Sequence, residues 1–253
     1  MTLDRDARDV IIAGVCGFPK SHARLFRDLA LVEVQETFYR PVAVERAMRW
    51  RERAPPDFMF AVRASQFITH DATSATYRRS GLDLEKMQKG HYGLFMDTSE
   101  VWAGWTQTAD VSKAVRARAI VFQTPETFGP TPENLRNLYA FFEKTTGGPW
   151  SLVWEPRAPW PSYVVEKVCT DLGLVHCVDP FAGESVTIGG AYFRLHGSPP
   201  GERMYSYTYT DGDLTRLRDT AIEYDDAFVV FNNVTMYEDA LRFRGIAGDT
   251  RAA

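Results

Sequence analysis

The stretch AIVFQTPETFGPTPENLRNLYAFFEKTTGGPWSLVWE, residues 119–155, contains a complete strand–helix–strand unit. Ala119–Gln123 and Ser151–Glu155 are short apolar runs, which predict two buried strands. Between them, Thr131–Glu133 is a helix start, because threonine caps helices and Pro132 suits the first turn. An apolar stripe at helical spacing follows. Two buried strands joined by a helix are typical of parallel pairing.

The same unit recurs along the whole chain, with amphipathic helices between most of the apolar runs. The predicted strands are Val10–Phe18, Leu31–Tyr39, Phe58–Phe67, Ala119–Gln123, Ser151–Glu155, Leu174–Asp179, Ala191–His196 and Ala227–Asn232. Residues 71–117 form a long insertion between strands three and four, and residues 181–190 are too short for a full sixth crossover helix. We therefore predict an α/β fold, a TIM-type (β/α)8 barrel forming a single domain over residues 1–253. An open doubly wound sheet is the rival, but no GxGxxG follows any strand.

Composition narrows the functional classes. The chain has 253 residues and a net charge of −4, so bulk attraction to nucleic acid is not favoured. Its three cysteines are odd in number and lack metal-ligand spacing, which predicts a reduced, cytoplasmic protein. The charged N-terminus predicts no signal peptide, and no apolar run is long enough to predict contact with a membrane.

Polar side chains interrupt the strands at their carboxyl ends, where barrel enzymes build their active sites. Glu33, Gln35 and Thr37 alternate in predicted strand two and so should share one face. The candidate site residues are Glu33, Gln35, Arg63, His70, Gln123, Glu155, Arg157, Arg194, His196, Asn232 and Asn233. A structural ion-pair network inside the barrel is the alternative interpretation of these charges.

These residue types favour acid–base chemistry on an anion. Glu33 or Glu155 would be the base and His196 an acid or base, while arginines suit carboxylate or phosphate. No lysine lies in a predicted strand and strand one has no HxH, which disfavours a Schiff-base aldolase and an amidohydrolase-type metal centre. A glycosidase carboxylate pair across strands four and seven does not form.

A divalent metal is compatible with the residue types, although the spacing carries no metal signature. The candidate ligands are His70, His196, Asp179, Glu33 and Glu155. Residues 196–201 form a small, turn-rich loop. Tyr205, Tyr207 and Tyr209 follow it at spacing two, and Tyr207 is included among the substrate-binding candidates. Tyrosines beside arginines can stack bases or sugar rings, or they can pack as a short edge strand or lid.

Seven segments together resemble the DUF72 family, the YecE-like proteins, in the family's order over residues 14–241. The segments are VEVQETFYRP (32–41), FAVRA (60–64), ITH (68–70), VFQTP (121–125), WEPR with PW (154–160), RLHG (194–197) and FNN (231–233). The FQTP form and the tyrosine-rich segment are similar to the archaeal branch. The resemblance implies a TIM-type barrel and motif roles for the site residues above, but no established reaction. Gln35, Arg63 and Ala158 depart from the asparagine, lysine and histidine that are common in the family.

We expect an enzyme, a hydrolase or lyase, acting on a small anionic or phosphate-bearing substrate, with nucleotide-derived compounds among the candidates. The alternatives are a nucleic-acid-binding module, a metal-dependent nuclease-like barrel and a non-catalytic ligand-binding protein.

Overall fold

The computed structural model describes residues 10–85, 87–145 and 147–248, with the backbone alone at Val10. The charged N-terminal segment considered for a signal peptide, residues 1–9, lies outside them, as do residues 249–253 of the predicted domain. In the described chain, eight parallel strands close into a barrel in the order β1-β2-β3-β4-β5-β6-β7-β8. The predicted TIM-type fold is confirmed. No helix of this part of the chain has both the length and the apolarity needed to cross a membrane.

The strand bounds fix the frame of the site. The strands are β1 (Val10–Cys16), β2 (Leu31–Val34), β3 (Met59–Arg63), β4 (Ala119–Gln123), β5 (Ser151–Glu155), β6 (Val175–Val178), β7 (Gly190–Leu195) and β8 (Asp226–Phe231). The helices are α1 (His22–Asp28), α2 (Glu36–Tyr39), α3 (Val44–Arg53), α4 (Gln66–Thr69), α5 (Ser99–Val115), α6 (Pro132–Lys144), α7 (Ser162–Leu172), α8 (Asp211–Ala221) and α9 (Met236–Ala247), with a 3-10 helix over Ala75–Arg79.

The β4–α6–β5 unit has the predicted strand bounds. The Thr131 hydroxyl accepts a hydrogen bond from the Asn134 amide at 3.1 Å, and proline follows at the first turn of α6. Leu138, Phe141 and Phe142 are buried on one face of α6. They pack with aromatic side chains on the outer face of the barrel, so the helix is held mainly by apolar burial.

Predicted strands two and three extend furthest beyond the observed ones. The prediction of Leu31–Tyr39 is wrong beyond Val34, because the chain turns at Gln35 into the short helix α2. The Thr37 hydroxyl lies 2.7 Å from the Arg63 carbonyl oxygen, which ties this turn to the end of β3. Thr37 and Gln35 therefore do not continue the strand face that carries Glu33. Predicted strand three likewise ends at Arg63 rather than Phe67.

The connections after β6, β7 and β8 differ in structure. The sequence pattern predicts a capping box of Thr210 and Asp213 before α8, and this box is present. A T-x-x-E pattern also predicts a capping box of Thr235 and Glu238 before α9. That prediction is wrong, since the Thr235 hydroxyl donates to Asp239 at 2.8 Å and makes no cap. Glu238 instead pairs with Lys20 at 3.0 Å. The sixth crossover is abbreviated as predicted, with no helix between β6 and β7.

The barrel interior is apolar in its lower layers and polar at the carboxyl ends of the strands. Its buried apolar cluster includes Leu31, Ala61, Val121, Val153 and Tyr192, one from each of five strands. Side chains on one strand face recur every second residue, so the next inward position on each strand lies one layer higher. Those positions hold Glu33, Arg63, Gln123, Glu155 and Arg194. The alternation of the strands thus gathers the charges at the carboxyl ends.

Strand β6 is the most weakly paired strand of the ring. Its recorded register covers two residue pairs with β5 and two with β7, whereas β7 and β8 share six. It is also the strand whose following crossover lacks a helix.

Gly14 in β1 lies closely against the backbone of β2. A Cβ atom at this position would lie 2.1 Å from the carbonyl oxygen of Leu31 in β2, which is backbone and cannot move aside. We expect Gly14→Ala to lower the free energy of unfolding by about 3 kcal/mol, at the upper end for overpacking. The matched control is Gly245→Ala in α9, where an added Cβ meets nothing within 4 Å. It should be neutral or stabilising by about 0.5–1 kcal/mol. Urea denaturation of both variants measures the difference, and equal stabilities would contradict the assigned strand contact.

Candidate active site at the carboxyl ends of the strands

Arg194 of β7 lies at the centre of the polar layer and is 1% exposed. Its Nη1 lies 2.5 Å from Glu155 Oε2 and donates to Gln123 Oε1 at 3.1 Å. Its Nη2 lies 3.2 Å from Glu33 Oε1 and 3.5 Å from the Cys16 Sγ. One guanidinium therefore connects the ends of five strands, as its fixed fork of donors permits.

Glu33 is the deepest carboxylate and is fully buried. Besides the ion pair with Arg194, it accepts hydrogen bonds from the Tyr192 hydroxyl at 2.7 Å and from the Gln35 side-chain amide. The Cys16 thiol lies against the same carboxylate, and burial raises the pKa of this thiol to about 12. Several hydrogen-bond donors thus hold Glu33 at the bottom of the site, and they separate its carboxylate from a bound substrate.

Glu155 of β5 is shared between two arginines. Burial alone would raise the pKa of this carboxyl, but Arg194 and then Arg157 outweigh burial and hold the pKa well below its usual range. Arg157 contributes through its Nε, 2.8 Å from Glu155 Oε1. Glu155 is therefore ionised at neutral pH and is a weak proton acceptor. Its position suits charge balance better than the base role predicted from the sequence.

His196 follows β7 and contacts Arg157 at 2.7 Å through its Nε2. A guanidinium only donates, so Nε2 accepts and the ring proton lies on Nδ1. Burial lowers the pKa of His196 to about 3, and the attraction of Glu155 does not overcome it. The imidazole is neutral at physiological pH, and its proton-accepting nitrogen is occupied by Arg157.

Asp179, just after β6, adds a carboxylate on the Nδ1 side of His196. Its Oδ2 accepts from the His196 amide at 3.1 Å and lies 3.9 Å from Nδ1. Burial raises the pKa of Asp179 to about 6. The sequence reading placed it only among candidate metal ligands, although its place at a strand end was the signal for it. Cys16 and Tyr192 were not predicted as site residues, because their residue types also suit ordinary packing inside a barrel.

Arg63 of β3 is 8% exposed and differs from the other two arginines in its partners. Its Nη1 donates to Gln35 Oε1 at 3.1 Å, and its guanidinium carbon lies 3.6 Å from the Phe38 ring centroid. In the described chain it forms no ion pair, and its buried Nε has no hydrogen-bond partner. Burial lowers the pKa of Arg63, and the nearby charge of Arg194 lowers it further. The protein therefore leaves this buried cation without a counter-charge in contact.

His70 lies at the edge of this cluster. Its ring centroid is 4.9 Å from that of Phe38, on which Arg63 also packs, and its Nδ1 is 2.8 Å from the Thr69 hydroxyl. Burial, and secondly the charge of Arg63, lower the pKa of His70 to about 3. His70 is thus a neutral group beside the uncompensated arginine.

Three predicted substrate-binding residues lie outside the connected network. The Tyr207 hydroxyl donates to Asp213 at 2.8 Å, in the cap of α8. The Asn233 amide donates to the Tyr207 carbonyl and to Asp239, both at 2.7 Å. Asn232 is partly buried at the end of β8, and its backbone amide donates to Leu195. The first two therefore join the loop after β7 to helices α8 and α9.

The three tyrosines after the turn-rich loop do not form one stacking surface. Tyr209 is buried and packs edge-on against Tyr207, and its hydroxyl accepts from the Gly197 amide at 2.8 Å. Tyr205 is 47% exposed, with its ring 5.6 Å from that of His196.

The donor set does not form a metal centre in the structure described. Within residues 10–85, 87–145 and 147–248, no three His, Cys, Asp or Glu side chains are grouped so that they could hold a metal ion. The oxygens of Glu33 and Glu155 face arginine, tyrosine and glutamine donors instead. Of the predicted ligands, Asp179 and His196 are neighbours, whereas His70 lies across the site beside Phe38.

Loss of Arg194 should expose the cost of the buried carboxylates. We expect Arg194→Met to lower the free energy of unfolding by about 3–5 kcal/mol, because it leaves Glu33 and Glu155 buried without their shared cation. The control is Lys167→Ala, which removes the exposed pair with Asp171 on α7 and should cost about 0.3–0.5 kcal/mol. Chemical denaturation at pH 7 measures both. Similar losses in the two variants would refute the central role of Arg194.

The comparisons with known proteins agree with this architecture. The family described as "Protein of unknown function DUF72" matches residues 22–250. A crystal structure of a DUF72 family protein from Enterococcus faecalis has a TM-score of 0.72 at 18% identity, covering 94% of this chain and 95% of that one. The corresponding values for a DUF72 family protein from Thermotoga maritima are 0.68, 19%, 93% and 98%.

A more distant likeness extends to endonuclease IV from Thermus thermophilus, with a TM-score of 0.51 at 11% identity over 93% of this chain and 97% of that one. At such identities the structural likeness shows the fold alone. No curated protein matches the chain. Since the family match spans nearly the whole sequence, the chain belongs to the DUF72 family of TIM-barrel proteins, whose function is not known.

Proposed function

We propose that the carboxyl ends of the strands bind a small anionic, phosphate-bearing substrate, and that the protein is a hydrolase or lyase acting on it. The observation that carries the proposal is Arg63, a buried guanidinium with no ion pair in the described chain and a buried Nε that lacks a partner. Burying an unpaired charge is unfavourable by several kcal/mol unless something compensates it. An anionic ligand in contact with Arg63 supplies that compensation.

The charge balance of the network supports an anion rather than a cation. Glu33 and Glu155 are both committed to Arg194, and Glu155 also to Arg157. Arg63 then remains as a surplus positive charge. Arginine presents several donors in a plane, which suits the oxygens of a phosphate or carboxylate.

Arg157 links anion binding to proton transfer. Its side chain is 20% exposed and contacts both Glu155 and His196. A substrate anion competes for the same guanidinium, and movement of Arg157 towards it frees the His196 Nε2. The negative charges of the bound substrate and of Asp179, on the Nδ1 side, favour the protonated form of His196. His196 then accepts a proton from water, which attacks phosphorus as the ester P–O bond breaks, or from a carbon whose neighbouring C–O bond to phosphate breaks. These proton-transfer steps require no metal ion.

Anion binding is tested directly on Arg63. We expect phosphate, at constant ionic strength, to raise the melting temperature of the wild-type protein relative to chloride, because a ligand of the native state stabilises it. Arg63→Met should weaken phosphate binding at least about tenfold, the value of losing a hydrogen bond to a charged group. Titration calorimetry gives the affinities.

The matched control for this experiment is Arg49→Met. It removes the same charge from an exposed position of α3 and should leave phosphate affinity unchanged. Arg63→Lys, which keeps the charge and loses the fork of donors, should lie between the two. Equal phosphate affinity in the Arg63→Met and Arg49→Met proteins would sink the proposed anion site.

Catalysis is tested on His196 and Glu155. Using phosphate release from a panel of phosphomonoesters, with substrate loss by mass spectrometry for elimination products, we expect His196→Ala and Glu155→Gln to abolish turnover. His196 supplies the proton acceptor, and Glu155 holds Arg157 and Arg194 in place. Circular dichroism confirms folding of each variant, and Arg49→Met serves again as control. Anion binding without turnover in any of these reactions would indicate the non-catalytic alternative.

A further inference from the structure

A cavity of about 450 Å³ lies beside the anion site, within the range of small-molecule pockets. Its wall is formed by the loop after β1, by α2 and by the 3-10 helix, and includes Phe18, Gln35, Tyr39 and Arg79. Gln35 is the same residue that accepts the hydrogen bond of Arg63. Gln35 therefore lies between the cavity and the uncompensated arginine, so the two adjoin each other.

Two planar groups are stacked in this wall. The guanidinium carbon of Arg79 lies 3.7 Å from the Tyr39 ring centroid. Arg79 is exposed, and among the described residues it has neither a hydrogen bond nor an ion pair. A guanidinium resting on an aromatic face keeps its other face for a second flat group.

Phe18 adds a third planar group that is fixed from behind. Its ring centroid lies 4.6 Å from that of His22 and 5.2 Å from that of Trp50. Phe18 itself is only partly buried and lines the cavity. A ring held in this way offers a surface for stacking at little cost in side-chain entropy.

The charges of the wall favour the same kind of ligand. Glu36 is neutralised by Arg40 at 2.8 Å and by Arg46 at 2.9 Å. Arg79 therefore leaves the wall positively charged. The Tyr39 hydroxyl has no hydrogen-bond partner in the described chain and is free to bind a polar edge.

We propose that this cavity is the base-binding part of the site and that the substrate class is a nucleoside monophosphate. Resting on the proposed function, the inference places the phosphate at Arg63 and the base against Phe18 and the Arg79–Tyr39 stack. Bases stack on aromatic rings and on arginine planes whatever their hydrogen-bonding edge. A simple sugar phosphate would leave these three planar groups unused.

The test compares AMP, ribose 5-phosphate and inorganic phosphate by titration calorimetry. Wild-type protein should bind AMP about tenfold more tightly than ribose 5-phosphate, the usual range for stacking one base. Arg79→Ala should remove most of this difference and leave affinity for inorganic phosphate unchanged. Arg79→Lys, which keeps the charge but lacks the plane, should behave like Arg79→Ala.

Arg78→Ala is the matched control, since Arg78 is exposed on the same 3-10 helix and does not line the cavity. It should bind all three ligands as wild type does. Equal affinity of the wild type for AMP and ribose 5-phosphate would overturn the base site while leaving the anion site standing. An equal loss in Arg78→Ala and Arg79→Ala would overturn it too, because only bulk charge would then act. Failure of all three ligands to bind would instead refute the proposed function.

Discussion

The burial of the Arg194 guanidinium is the constraint on which the upper half of the barrel depends. A guanidinium that is 1% exposed must be surrounded by acceptors, and these come from β2, β4 and β5. Each of those strands therefore carries, at or next to its carboxyl end, a residue that accepts from Arg194, namely Glu33, Gln123 or Glu155. The same demand sets Glu155 where it also holds Arg157, so a requirement of folding arranges the groups of the site.

Ion pairing distinguishes the two buried arginines of this layer. Both leave their Nε without a hydrogen-bond partner, but Arg194 pairs with Glu33 and Glu155, whereas Arg63 forms no ion pair among the described residues. Structural ion pairing alone explains the first and leaves the second without a reason. The alternative of a purely structural network therefore accounts for part of the polar layer and offers no reason for Arg63 or for the cavity beside it.

The sequence predicted the architecture well wherever a strand ended in a clear change of pattern. Ala119–Gln123 and Ser151–Glu155 have the predicted bounds because loops rich in proline, glycine or threonine follow or precede them. Strand two was extended too far because Glu33, Gln35 and Thr37 alternate as in a strand. Whether the chain stays in the barrel at Gln35 is decided by a contact of Thr37 with distant Arg63, which no local pattern contains.

The sequence predicted which residues gather in the polar layer better than it predicted which of them contact each other. Period-two alternation in buried strands placed the charges in one layer, and eight of the candidates are connected there. The pairing of His196 with Arg157, and the isolation of Arg63, depend on side-chain positions from separate strands. Tyr207 and Asn233 resembled binding residues in the sequence, yet the Tyr207 hydroxyl donates to Asp213 and the Asn233 side-chain NH2 group donates to Asp239.

The connection between β6 and β7, which contains no helix, affects the dynamics of the barrel. Strand β6 has the shortest register on both sides and is followed by a loop instead of a helix. Segments held by few backbone pairings open at a lower free energy than the rest of a fold, so amide exchange should be faster in β6 than in the other strands. Asp179 lies at its end and accepts from the His196 amide. Opening of β6 would therefore displace Asp179 and, through this hydrogen bond, the backbone of His196.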